Sequence, residues 1–148
     1  MRREETVDFA IKAAWHAIAR MYHQQAARHG ITMSMGFVLL NIHSEGTPAT
    51  KIAPLMGLEA RSLSRLLRNM EEKGLIYREA DPHDKRLVRI VLTKEGRKKR
   101  QKAKETVLRF NEAVHNKIDR SKLATFFEVV EDVQRLVDSD ELYQSTSV

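Results

Sequence analysis

The chain has 148 residues, 42% hydrophobic and 31% charged, enough for one domain or one module with helical extensions that buries a core and stays soluble. It has no cysteine, which excludes a disulfide framework, a thiolate metal site and a thiol redox switch; no apolar run approaches the roughly 18 residues of a membrane span, and the opening Met1-Arg2-Arg3-Glu4-Glu5 lacks the order of a signal peptide, so a cytoplasmic protein is expected. The net charge of +6 is uneven, with +8 in residues 59–104, −4 in 105–148 and +2 in 1–58, which is either the footprint of a nucleic-acid face or a solvated basic surface.

In chain order, residues 4–29 read as a long helix, because Phe9, Ile11, Trp15, Ile18 and Tyr22 recur at helical spacing, with Gly30 as its stop. Residues 33–44 are apolar on all sides, from Met33 to Ile42, and predict a helix buried among others. Residues 44–48 form a turn. A short helix follows over 50–56, in which Pro54 requires a start close to Thr50. After the turn at Gly57-Leu58, residues 60–73 form a fourth helix ended by Gly74. Residues 76–80 and 87–92 are short strands around a charged tip, and Val88, Ile90 and Leu92 fall at period two as one buried face. Thr93 caps a fifth helix over 94–117, Asp119-Arg120-Ser121 breaks it, and a sixth covers 122–138 with Leu123, Phe126, Phe127, Val130, Val133 and Val137 along a stripe. Residues 139–148 are polar and expected to fray. The class is mainly α with a two-stranded β wing: a winged helix-turn-helix over 33–104, flanked by helical regions 1–32 and 105–148.

The fourth helix carries the chemistry. At about 100° per residue, Leu63, Leu66, Leu67 and Met70 gather on one side, and Arg61, Arg65 and Arg68 lie nearly opposite, flanked by Ser62 and Ser64. Like charges so spaced repel by a few tenths of a kcal/mol per pair, a cost that phosphates and guanine edges would relieve. An α-helix fits the major groove, where arginine binds guanine bidentately; a solvent-facing basic helix is the plain alternative. Thr50 and Lys51, on the preceding short helix, join the candidate DNA-binding set. At the tip, Asp81-Pro82 starts the turn, with the Asp81 side chain bonding nearby backbone. Arg86 suits a narrow minor groove, Asp84 can hold its guanidinium extended, and Lys85 would take phosphate. The alternative there is an ordinary surface ion pair.

These residues resemble the winged helix-turn-helix of MarR-type bacterial transcription regulators. The resemblance rests on Ser64-Arg65-Leu66-Leu67, then Met70-Glu71-Glu72-Lys73-Gly74-Leu75-Ile76, then Asp81-Pro82-His83-Asp84-Lys85-Arg86 closed by Leu92-Thr93-Lys94-Glu95-Gly96, and the flanking helices match the family layout. Three positions depart from the usual pattern: Glu59 for Ser or Asp, Pro54 for a polar residue, and Arg68 for Asp. The resemblance implies a homodimer formed by the N- and C-terminal helices. Independently, Phe9, Trp15, Phe126, Phe127 and Val130 are more apolar surface than three short helices and a hairpin can cover. It also implies a small-molecule effector, aromatic or anionic, held between the dimer helices and the DNA-binding lobe. His16, Arg20, Met33 and His43 are the candidates for that cleft, and Met33, Met35 and Met56 would give it an adaptable lining.

The absence of cysteine excludes the family's thiol-based peroxide sensing. Glu112 and His115, at i, i+3, could join His43 around a metal, but three scattered positions give no basis for one, and no metal or cofactor is expected. Nothing points to an enzyme: there is no Gly-rich phosphate loop, HExxH or GxSxG, and Glu71-Glu72 point apart, with Lys73 and Arg68 as surface partners. The expectation is a ligand-responsive DNA-binding regulator, a repressor acting as a dimer on a pseudo-palindromic operator. The alternatives are a winged-helix protein-interaction module and a nonspecific DNA-binding module.

Overall fold

A computed structural model describes residues 1–144. The chain packs as two compact units, Met1–Val107 and a second beginning at Leu108. A 3-10 turn over Arg3–Glu5 precedes α1 (Val7–Arg28). The long first helix therefore starts later than residue 4, because the Arg2 side chain and backbone bond the Glu5 carboxylate and close a tighter turn first. No residue of α1 is buried. It leans on α2 (Met33–Leu40) through Phe37, whose ring lies 5.8 Å from Tyr22 and 6.5 Å from Trp15.

Helix α2 is buried at Met35, Gly36, Val38 and Leu39 and capped by Thr32, which accepts from the Met35 N–H at 3.2 Å. It ends four residues before the expected 44, because Asn41 turns its amide back on the Phe37 carbonyl at 2.9 Å and competes with the next helical turn. The expected turn at 44–48 contains a strand, β1 (Thr47–Pro48), which pairs antiparallel with β3 (Val88–Leu92). With β2 (Ile76–Ala80) on the other side of β3, the sheet has three strands in the order β1-β3-β2, not the two expected. A two-residue strand containing proline has no periodicity to read, so only its partner reveals it.

Helix α3 (Ala49–Met56) contains Pro54 in its second turn, not near its start. Thr50 and Pro54 are both exposed, so the bond that proline cannot donate is missing on the solvent side. Gly57 at φ +61° forms the sharp turn, a left-handed conformation that a side chain would disfavour, and α4 (Ala60–Glu72) follows. The core of this unit gathers Val38, Leu39, Ile42, Ile52, Leu63, Leu67, Met70, Leu75, Ile76, Ile90 and Leu92. Strand β3 breaks the expected alternation. Val88 is 41% exposed, beside the turn at the tip of the hairpin, whereas Val91, on the opposite face, is 7% exposed. The turn at 43–46 covers it: a Cβ at Gly46 would stand 3.1 Å from Val91 Cγ2.

Helix α5 (Lys94–Lys117) starts on the expected cap, with Thr93 Oγ1 accepting from the Gly96 N–H at 3.0 Å. In the second unit α6 (Arg120–Asp138) begins at Arg120, so the expected break narrows to the residues just before it. Leu123 is buried, whereas Phe126, Phe127, Val129, Leu136 and Val137 are more than half exposed. Of the expected frayed tail, residues 139–144 contain no α-helix, and 145–148 lie outside the described residues.

Candidate nucleic-acid interface

Helix α4 is built so that burial of one side decides what the other presents. Leu63, Leu67 and Met70 are at most 4% exposed, which fixes the rotation of the helix and leaves Arg61, Ser62, Ser64, Arg65 and Arg68 exposed. Among the described residues none of these three arginines has an ion-pair partner; Arg68 and Glu72, one turn apart, are not joined. Thr50 and Lys51 of α3 are likewise exposed. Glu59 precedes α4 in an extended conformation without a side-chain cap bond; its carboxylate still sits where a helix dipole favours negative charge.

The wing tip is ordered by two aspartates. Asp81 Oδ1 accepts from the backbone N–H of His83 at 2.8 Å and of Asp84 at 3.1 Å. The Asp81 N–H donates to the Leu87 carbonyl, and the Leu87 N–H to that of Asp84, each at 3.0 Å. The His83 amide bond holds the Asp81 carboxyl below the usual aspartate range, helped by the Asp84 amide and the charges of Arg89 and His83. Arg89 Nε is buried and faces Asp81 Oδ2 at 3.5 Å; it has no hydrogen-bond partner, so the attraction is ionic. Asp84 Oδ1 then accepts from Arg86 Nε at 3.2 Å, while the Arg86 side chain remains 90% exposed. Lys85 is exposed beside it.

The wing and α4 meet through an ion pair that the sequence reading did not anticipate. Glu71, assigned Lys73 and Arg68 as partners, instead pairs with Arg78 of β2. Lys73 donates to the Gly30 carbonyl at 3.4 Å. The signal was obscured because Arg78 is seven residues on, beyond the Gly74 turn. The base of the wing is locked onto α5: Thr93 Oγ1 donates to the Gly74 carbonyl at 2.6 Å and the Thr93 N–H to that of Leu75 at 3.0 Å.

The four effector candidates do not converge. Met33 lines a cleft of about 40 Å³ among α1, α2 and the first half of α5, with Tyr22, His29, Phe37, Lys99 and Lys102. Burial raises the Tyr22 hydroxyl above its usual pKa. His16 lies on a separate open groove of α1, near Arg3, Phe9 and Lys12. Arg20 and His43 are exposed and line neither. Met35 is buried in the core, and Met56 Sδ accepts from Asn41 Nδ2 at 3.7 Å. Tyr22, His29, Lys99 and Lys102 were not among the candidates, since their meeting depends on how three helices cross. Among the described residues no group of three or more His, Cys, Asp or Glu could hold a metal ion. No described helix is long and apolar enough to cross a membrane.

Residues 31–88 match the MarR family. The HTH-type transcriptional regulator TtmR of Methylorubrum extorquens (strain PA1) is 37% identical over 90 residues, which are 60% of this chain and 46% of that protein. The match thus spans about half the length of that curated relative. The crystal structure of CouR from Rhodococcus jostii RHA1 bound to p-coumaroyl-CoA superposes with a TM-score of 0.79 at 22% identity, covering 90% of this chain and 94% of that one. The S. aureus MepR–DNA complex gives 0.76 at 22% identity, covering 90% and 98%. At such identities the two structures speak for the fold alone, a winged helix-turn-helix with flanking helices, and the likeness to the MarR family is that of residues 31–88.

Proposed function

We propose that this protein is a sequence-specific DNA-binding transcription regulator, a repressor that acts in the cytoplasm as a homodimer on a pseudo-palindromic operator. The observation that carries the reading is the exposed face of α4, where Arg61, Arg65 and Arg68 stand without ion-pair partners among the described residues. Charges left unpaired at helical spacing are suited to phosphate and guanine, and Arg86 on the wing to the adjacent minor groove. The relative TtmR is named a transcriptional regulator and the MepR structure is a DNA complex, which supports the same reading. A binding role, not an enzymatic one, follows from it.

The dimer is supported by exposed apolar residues on helices that have little else to cover. Val7, Ile11 and Trp15 on α1 are 45–55% exposed, and Phe126 and Phe127 on α6 are 55% and 54%. A two-fold axis would set two copies of α4 about 34 Å apart, one turn of DNA. Residues 1–32 and 105–148 are the proposed dimerisation region and 33–104 the DNA-binding region.

The small-molecule effector is assigned to the cleft that contains Met33. Its apolar walls and the Lys99 and Lys102 side chains suit an aromatic or anionic compound, and the CouR structure holds p-coumaroyl-CoA. A volume of about 40 Å³ admits only a water or two, so a ligand must part α1 and α2 from α5. Its differential affinity for the opened form is what would shift DNA binding.

The test is selection from random-sequence DNA, followed by salt titration of the enriched site. An enriched inverted repeat bound with a steep salt slope is expected. Weak uniform binding without enrichment would favour a nonspecific DNA-binding module, and no binding at low salt a protein-interaction module.

A further inference from the structure

We infer that the Glu71–Arg78 ion pair sets the angle between the recognition helix and the wing, so that Glu71 and Arg78 are positioning residues for DNA specificity. The inference rests on the DNA-binding reading above. Past Ile76 the strand β2 buries nothing: Tyr77, Arg78, Glu79 and Ala80 are all exposed, and Val88 opposite Ala80 on β3 is exposed too. Beyond the Arg78–Ile90 pair the hairpin is therefore held by its own ladder and by the two-residue strand β1, which reaches only as far as Arg89, with no apolar core to fix the direction of the tip. Among the described residues no other ion pair joins the hairpin to α4. Asp81 and Arg89 stiffen the hairpin internally, across the same sheet, without reaching the helix.

The placement of Glu71 points the same way. It lies in the last turn of α4, where the helix dipole disfavours a carboxylate. It is seven residues after Ser64, two turns along the same edge of the arginine face, where a free negative charge would oppose phosphate. Both costs are offset when Arg78 covers it. Because both side chains remain more than a third exposed, the pair contributes little to global stability. Its consequence is directional: α4 reads the major groove while Arg86 must reach the adjacent minor groove, and the span between them depends on where the wing points.

The experiment is selection from random DNA with the wild-type protein and with Glu71→Gln, Arg78→Gln and the exchange Glu71→Arg/Arg78→Glu, with affinity, salt slope and melting temperature measured for each. Both single variants should lose about three- to tenfold in operator affinity. Their sequence preference should flatten at the flanking positions read by the wing and persist at those read by α4. Their salt slopes should be unchanged, their melting temperatures should stay within about 3 °C, and the exchange should restore the preference. Wild-type affinity and preference in Glu71→Gln would overturn the inference. So would a loss confined to Arg78→Gln with a salt slope smaller by about one, which would make Arg78 a phosphate contact. A melting temperature lowered well beyond that range in both single variants would make the pair structural and overturn it too. If the wild type enriches no site, it is the DNA-binding reading that fails.

Discussion

Asp84 and Arg86 form a closed unit at the wing tip: one carboxylate oxygen, Asp84 Oδ1, accepts from the Arg86 backbone N–H at 3.0 Å and from its Nε at 3.2 Å. The arginine is thereby tethered to Asp84 before any partner arrives, and less rotamer entropy remains to be lost on binding. Arg86→Ala should cost about 1–3 kcal/mol of specific affinity. With a side chain 90% exposed, it should leave the melting temperature almost unchanged. Fluorescence anisotropy on the selected operator, with a parallel thermal melt, checks both; undiminished affinity would remove the wing from the groove.

On α4, Arg65→Ala should weaken operator binding and relax the preference at the base pairs it reads, by about 1–3 kcal/mol if it binds guanine bidentately. An arginine that meets only phosphate behaves differently. Its loss weakens all sequences alike and reduces the salt slope by about one. Titrating Arg61→Ala, Arg65→Ala and Arg68→Ala at several salt concentrations assigns each to one class.

Two glycines in helices should respond to alanine with opposite sign. At Gly96 a Cβ would stand 1.9 Å from the Leu75 carbonyl oxygen, which already accepts from the Thr93 N–H. The helix gains about 1 kcal/mol from alanine, but forcing α5 off that backbone costs about 1–3 kcal/mol or more, so Gly96→Ala should be destabilising. At Gly36 the nearest atoms, Ala103 Cβ and Ile31 Cδ1, are each 3.9 Å away, so the propensity gain should survive. Urea denaturation of the two variants, compared with wild type, tests the pair of signs.

The wing should loosen in acid. Folding holds the Asp81 carboxyl below the usual aspartate range, first through the His83 amide. A group whose folded pKa is depressed contributes stability that is complete above its unfolded pKa and is lost as pH falls through the folded value. Asp81→Asn should therefore be less stable than wild type near neutrality, and the difference should shrink as pH falls below the ordinary aspartate range. Melting temperatures of both proteins across that range check the sign; a gap that widens in acid would contradict it.

The proposed dimer is tested by placing a charge on either apolar face. Ile11→Glu on α1 and Phe127→Glu on α6 substitute residues 46% and 54% exposed, so each monomer should still fold. Analytical ultracentrifugation should show a shift toward monomer, with loss of the tight operator complex. Trp15 is less suitable, since its ring also stacks on Phe37.

Much of this molecule was legible in one dimension because its signals are local. The face of α4 follows from a 3.6-residue period, the Thr93 cap from a side chain bonding its own helix, and the wing turn from Asp81 and Asp84 bonding backbone two or three residues on. Each interaction joins residues that are neighbours in the chain, so residue type and spacing determine it. Tertiary structure alone decided the rest. Strand β1 exists because β3 lies beside it, Val91 is buried because a turn 45 residues earlier covers it, and Glu71 meets Arg78 rather than its helical neighbours because a turn folds β2 back along α4. The cleft around Met33 likewise needs three helices to cross before its lining residues meet. Contacts of that kind depend on the relative placement of separate elements, which is set by how their apolar faces pack together and leaves no periodic trace in any one of them.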